Sequence, residues 1–294
     1  MNTLKTILLT FSLWSMSTLS AFLDIPFGAN AGLAYDYFRS VPEGDWDGNI
    51  GGLWNVNIAT DVPYLDCYNA KVQLGGSYGV YDWSGRGSNI TGNPREVQQQ
   101  GFLTTAITLE NGFDLGIQAA FAYDWMINKN FGVFALPCNL AQFRFQGGYL
   151  LDCNEFGILG TVNTHTCHRK VTGIPLAFRA INQVSLYWQS YFENTARTMV
   201  WIGIPYNKSL QYSSGRAGKF LMGANFDLPL TDNLYIVGHA MYMHGHNATT
   251  PFQSRNNAAN ICIGLDYKFG SCNGTLPYLS IGNNSNFIVD TSLT

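Results

Sequence analysis

Apolar and polar residues alternate one for one along most of the chain, and residues 111–126 show it best. Phe113, Leu115, Ile117, Ala119, Phe121 and Tyr123 share one parity; Asp114, Gly116, Gln118, Ala120, Ala122 and Asp124 share the other. A strand turns successive side chains to opposite faces, so this segment is a ribbon with an apolar side and a polar or small side. The pattern returns over residues 32–38, 52–60, 70–83, 101–109, 141–150, 155–163, 178–192, 197–205, 218–228, 234–244 and 257–269. Asn111-Gly112 is a two-residue hairpin signal that joins the 101–109 ribbon to 113–123, and Asp232-Asn233 turns 218–228 into 234–244. Residues 277–281 and 286–289 are expected to form one bulged closing strand. The reading is all-β: a single antiparallel transmembrane β-barrel of about 12 strands, within roughly 10 to 14.

Residues 1–20 read as a signal peptide. Lys5 is its one charge, Ile7 to Met16 is mostly apolar, and Thr18 and Ser20 place small residues at the spacing of a cleavage site. A buried first helix is the alternative, but the apolar run is short for a membrane span. Residues 21–294 then form the barrel, with no linker or charge block to divide them. No later stretch is long and apolar enough for a membrane helix. Such a chain is either secreted or a barrel.

Composition sharpens this. Charged residues make up 12% of the 294, against about 25% in ordinary soluble domains. Mean hydropathy is only -0.01, as expected when hydrophobicity is hidden in alternation. Tyr and Trp recur toward ribbon ends (Trp54, Tyr81, Trp83, Tyr123, Trp125, Tyr187, Trp188, Tyr191, Trp201, Tyr267 and Tyr278), which suggests interfacial girdles. Net charge of -3 offers nothing to a nucleic acid. Six cysteines in an exported chain suggest disulfides, with Cys138/Cys153, Cys153/Cys167 and Cys262/Cys272 near in sequence. Spacing does not choose between these pairings, and Cys262, on a polar strand face, could stay a free thiol.

Candidate chemistry is sparse. His165-Thr166-Cys167-His168 with Cys153 has zinc-ligand types but no standard spacing. His239, His244 and His246 lie near one hairpin. Residues 43–49 have the composition of a calcium loop without its ligand order. Asp82 and Asp124, each between a Tyr and a Trp, read as rim acids in water. There is no G-x-S-x-G elbow, no H-E-x-x-H and no P-loop. No enzyme activity and no cofactor are expected, although a lipase or acyltransferase site drawing on scattered residues such as His239 and Ser185 stays open. The inward polar rows are more telling for transport. Lys71, Glu110, Asp114, Asp124, Arg144, Lys219, Asp227, Asp266 and Lys268 are the candidate lumen-lining charges, either filtering solutes or cross-linking a narrow barrel.

The chain resembles bacterial outer-membrane β-barrel, porin-like proteins over essentially its whole mature length. Residues 32–38, Gly44-Asp45-Trp46-Asp47-Gly48-Asn49-Ile50-Gly51-Gly52 and Asn286-Phe287-Ile288-Val289-Asp290-Thr291 are similar to a poorly characterised barrel group of planctomycete and chlamydia-like bacteria. The resemblance implies a location in the bacterial outer membrane and carries no functional residues. Barrels of this kind commonly end in a strand with a terminal aromatic, whereas this chain ends Thr291-Ser292-Leu293-Thr294. The departure leaves open where the last strand lies, or implies that the tail folds back into the lumen. Three functions follow. The first is a porin-like passive channel for small polar solutes. The second is a non-conducting structural or surface-adhesion barrel with long loops around 84–98, 128–140 and 247–256. The third is a secreted all-β binding domain. Expected partners are outer-membrane lipids, small polar solutes if a pore is open, and a homo-oligomer or surface partner.

Overall fold

The computed structural model describes residues 27–39, 49–65, 68–81, 97–112, 116–131, 136–171, 173–193, 195–206, 217–245, 257–269, 279–283 and 286–293. Its strands are β1 (Phe27–Arg39), β2 (Asn49–Asp61), β3 (Ala70–Tyr81), β4 (Gln98–Gly112), β5 (Ile117–Phe131), β6 (Leu136–Leu151), β7 (Asn154–His165), β8 (Cys167–Val171), β9 (Ile174–Ala180), β10 (Gln183–Tyr191), β11 (Arg197–Pro205), β12 (Phe220–Pro229), β13 (Leu234–His244), β14 (Ala258–Phe269) and β15 (Val289–Leu293). Twelve of them form one closed antiparallel barrel, in which β7 pairs directly with β10 and β14 closes on β1. β8, β9 and β15 form a separate small sheet in the order β15-β9-β8. The barrel therefore has the strand number read from the alternation.

The connections sort by length. β2–β3, β4–β5, β6–β7, β10–β11 and β12–β13 turn over a few residues at the end where β1 begins and β14 finishes. The other end carries the 40–48, 82–97, 206–219 and 245–257 connections and the β8–β9 insertion. In outer-membrane barrels short turns face the periplasm and long loops face outward. One expected loop is shorter than read, because β5 runs to Phe131 and β6 starts at Leu136.

The parity holds around the wall. Leu33, Leu74, Leu103, Phe121, Ile158, Leu186, Ile202 and Ile263 point outward and are exposed, while Gln73, Thr104, Asp124, Gln142, Thr161 and Asn260 point inward and are buried. Such an apolar exterior would be a liability in water and is a match for lipid. Among the described residues no helix is long and apolar enough to cross a membrane; the crossing is made by strands. Closure pairs every wall strand on both sides, which leaves no backbone edge toward lipid.

Several details differ from the sequence reading. The 178–192 ribbon is two elements, β9 outside the wall and β10 within it, because Ile181 and Asn182 break the pairing. The turn after β4 does not fall at Asn111-Gly112. Those residues end the strand, with a register shift between Leu109 and Gly112, and β5 starts at Ile117. Residues 279–281 and 286–289 are not a closing strand of the wall, since both edges of β14 are already taken by β1 and β13. Tyr81, Tyr187 and Trp201 are not girdle residues: each has inward parity and is buried. Trp83, Tyr278, Asp82, residues 1–26 and the acidic 43–48 segment lie outside the described residues.

Candidate functional site: the filled lumen

Twelve strands about 4.8 Å apart and tilted by about 40° enclose a backbone diameter of roughly 24 Å. An eight-stranded barrel is just wide enough to be filled by its side chains; this one is wider and has an occupant besides them. The C-terminal segment is that occupant. It climbs the lumen from the short-turn end to the long-loop end. Leu279 meets Gln73, near the start of β3, whose amide donates to Leu279 O and accepts from Leu279 N at 3.1 Å. Higher up, Arg144 Nη2 donates to Ser280 O at 2.7 Å, and Gly282 N donates to Thr104 Oγ1 at 2.7 Å. Gln142 Nε2 then donates to Asn286 O at 3.1 Å, and Ile181 N to Ile288 O at 2.8 Å. At the top β15 pairs with β9 from Val289↔Ala180 to Leu293↔Leu176. Backbone at membrane depth must find partners inside the protein, and here the wall side chains supply them.

The wall is shaped for this tail. Gly75 faces it from β3, and a Cβ there would lie 2.7 Å from Ile281 Cγ1. Phe287 packs on Phe102, ring centroids 5.9 Å apart, within an apolar cluster that includes Met126, Leu140 and Phe178. A second apolar cluster, with Trp201, Leu221, Met241 and Met243, holds Ile288. Both clusters draw chiefly on the long-loop half of the barrel, and a smaller one of Ala106, Ala120 and Ala122 holds Leu279 lower down.

Three ion pairs hold six of the charges. Asp124 is fully buried and binds Arg144, with Nε to Oδ2 at 3.1 Å and Nη2 to Oδ1 at 3.1 Å. Thr104 Oγ1 donates to Asp124 Oδ1 at 2.8 Å and Gln142 Nε2 to Oδ2 at 3.2 Å. A carboxylate so enclosed is no rim acid in water, which corrects that expectation. Lys71 and Glu110 pair near the short-turn end. Asp227 pairs with Arg197. Asp266 accepts from Asn30 Nδ2 at 2.7 Å and Asn55 Nδ2 at 3.1 Å, and Lys268 Nζ sits 3.2 Å over the Tyr235 ring. Lys219 is not on the wall: it precedes β12 and is exposed, because pairing starts only at Phe220. Asp114 lies outside the described residues. The alternation also held Arg197, which shares parity with buried Trp201, and Glu155, which binds the hydroxyls of Tyr187 and Tyr191. Their parity in the alternation is the signal that places both charges inside.

Beside the tail remains a cavity of about 150 Å³, lined by Asn55, Asp227, His239, Asp266, Lys268 and, from the tail, Asn283 among others. His239 Nδ1 contacts Asn225 Oδ1 at 3.2 Å. Ser185 stands three strands away, roughly 14 Å around the wall. His244 lies on the opposite face of β13 from His239 and stacks on Phe220; strand parity keeps the two from sharing a metal, and His246 lies outside the described residues. Among the described residues no group of three His, Cys, Asp or Glu side chains is placed to hold a metal. The four described cysteines are unbridged. Cys153 sits in the β6–β7 turn, whereas Cys138 and Cys167 are at the long-loop end. The Cys138/Cys153 and Cys153/Cys167 pairings are therefore ruled out by the length of β6, and the zinc group that needed Cys153 falls with them. Cys262 is buried with inward parity, and Cys272 lies outside the described residues.

A closed antiparallel wall, an apolar exterior and a polar interior define a bacterial outer-membrane β-barrel. The chain belongs to a family described as a family of unknown function (DUF6666), whose profile matches residues 23–289. No protein of curated function matches it in sequence. Among solved structures it is similar to the translocator domain of the autotransporter NalP from Neisseria meningitidis, with 12% identity over 90% of this chain and 97% of that one and a TM-score of 0.41. It is also similar to outer membrane phospholipase A from Escherichia coli, with 10% identity, 82% and 97% coverage and a TM-score of 0.43. A third is an anion-selective porin from Comamonas acidovorans, with 8% identity, 83% and 99% coverage and a TM-score of 0.35.

Proposed function

We propose that the chain is a non-conducting outer-membrane barrel, stoppered by its own C-terminal segment and presenting its long-loop face as a structural or surface-binding platform. The observation that carries this is the path of residues 279–283 and 286–293, hydrogen-bonded to the wall at successive heights and then to β9. A porin-like passive channel is less well supported. Arg144 and Asp124, which would filter solutes, are bound to each other, and Arg144 also to the tail. The apolar clusters around Phe287 and Ile288 pack the outward half. The partners in this reading are outer-membrane lipids and a surface ligand of the loops.

The test is ion conductance in planar lipid bilayers, using full-length protein whose folding is confirmed by heat-modifiability on a gel. A folded, inserted and silent full-length protein is expected. A chain ending at residue 276 should, if it folds, conduct in discrete steps. Steady conductance by the full-length protein would overturn the stoppered reading and restore the passive channel.

A further inference from the structure

Cys138 lies two residues into β6, and Cys167 opens β8. Both are buried, at 0% and 4% exposure, in one apolar cluster with Phe178 and Phe287. Their thiols touch, Cys138 donating to Cys167, and the closest approach of two cysteines is 2.9 Å. The flanking residues are tied across the same gap, since Arg169 Nε donates to Pro137 O at 2.7 Å. Noncovalent contacts thus hold β8 against the top of β6 with sulfur facing sulfur. Cys153, the alternative partner for either thiol, is roughly 45 Å away along β6.

We propose that Cys138 and Cys167 form a disulfide in the exported protein. The oxidant is the disulfide of an exported thiol–disulfide oxidoreductase. Cys167, as thiolate, attacks one sulfur of that disulfide and expels the other as a thiolate, giving a mixed disulfide. Cys138 gives up its proton to solvent and attacks Cys167 Sγ, expelling as a thiolate the oxidant sulfur to which Cys167 was joined. Two protein thiols are oxidised by two electrons, and the oxidant leaves as a dithiol. The order of attack follows from the pair's electrostatics. The hydrogen bond from Cys138, together with the Arg169 guanidinium, pulls the Cys167 thiol below the ordinary cysteine range against the effect of burial. The bridge fastens the β8–β9 hairpin to the wall, and β9 is the strand on which β15 docks. It therefore anchors the seat of the tail, a consequence that rests on the stoppered lumen; the bridge itself does not.

The experiment uses full-length protein recovered from the outer membrane of an expressing host. It is denatured in iodoacetamide without reductant, cut with trypsin and a glutamate-specific protease, and read by mass spectrometry. Cleavage after Lys129, Arg144, Glu155 and Arg169 separates Cys138, Cys153 and Cys167 onto different peptides. The expected species joins peptide 130–144 to peptide 156–169, two hydrogens lighter than their sum, and disappears on reduction. Both peptides carrying the alkyl group without reductant would overturn the proposal. So would either peptide joined to 145–155. Conductance plays no part in this readout, so its failure is distinguishable from failure of the stoppered lumen.

Discussion

Gly75 offers a direct way to push the tail. A Cβ at this position would lie 2.7 Å from Ile281 Cγ1 and 2.8 Å from Asn57 Oδ1. Gly75→Val adds three carbon atoms at a point where even the first does not fit. Overpacking of this kind destabilises by about 1–3 kcal/mol. Since Ile281 belongs to a segment that is not part of the wall, the readiest relief is for the tail to leave its seat. A change of that size shifts the seated-to-released ratio roughly five- to 150-fold. Ile281→Ala removes three carbon atoms from a side chain 8% exposed, and alone should destabilise by about 2–5 kcal/mol. Combined, the two changes conserve volume, so the double variant should be more stable than the sum predicts, with a coupling of about 0.5–3 kcal/mol. Urea unfolding in lipid vesicles gives the four stabilities, and bilayer recordings give the frequency of openings, which should rise in Gly75→Val and fall again in the double variant. Strict additivity, or a Gly75→Val protein as stable and silent as the parent, would refute the placement of the tail against β3.

Three further outcomes follow from the same contacts. Arg144→Met leaves Asp124 buried without its cation and should destabilise by about 3–5 kcal/mol, with much of the loss recovered by adding Asp124→Asn; equal stability of the Arg144→Met protein in urea would contradict the pairing. Phe287→Ala empties the seat beside Phe102 and should lower stability by about 3–5 kcal/mol, while tail cysteines introduced at Ser280 become more reactive to a water-soluble maleimide than in the parent. Ile202→Arg places a charge on the outer face opposite Leu186 and should destabilise by about 2–4 kcal/mol in bilayers if it lies at mid-depth; a change under about 0.5 kcal/mol would mean that this face does not meet lipid.

Much of the wall was legible because alternation is local. Val200 and Ile202 against Met199 and Trp201 assign the two faces of β11 without any neighbour, and the same holds for Ile261, Ile263 and Leu265 on β14. Where alternation misled, it did so for one reason: it reports faces, not partners. Residues 277–281 and 286–289 were expected to close the barrel as one bulged strand, yet β14 already had β1 and β13. The 178–192 ribbon was read as one strand although Ile181 and Asn182 invert its alternation, and the pairing changes sheets at those two residues. Tyr81 and Trp201 look like girdle residues by type and position. Their parity places them inside, where Tyr81 donates to Asp36 Oδ2 at 2.8 Å.

The amino-acid order alone determined an all-β wall of about twelve strands and its apolar and polar faces. These are properties of a period of two and of composition, and they need no contact between distant residues. Only the tertiary structure decided what the inward side chains bind. Gln73 meets Leu279 across 206 positions, Arg144 meets Ser280 across 136, and Asn260 meets Asp36 across 224. Nothing in a two-residue period encodes such separations. They arise because closing twelve strands into one cylinder turns the inward side chains of distant strands toward each other and toward the segment that threads the lumen.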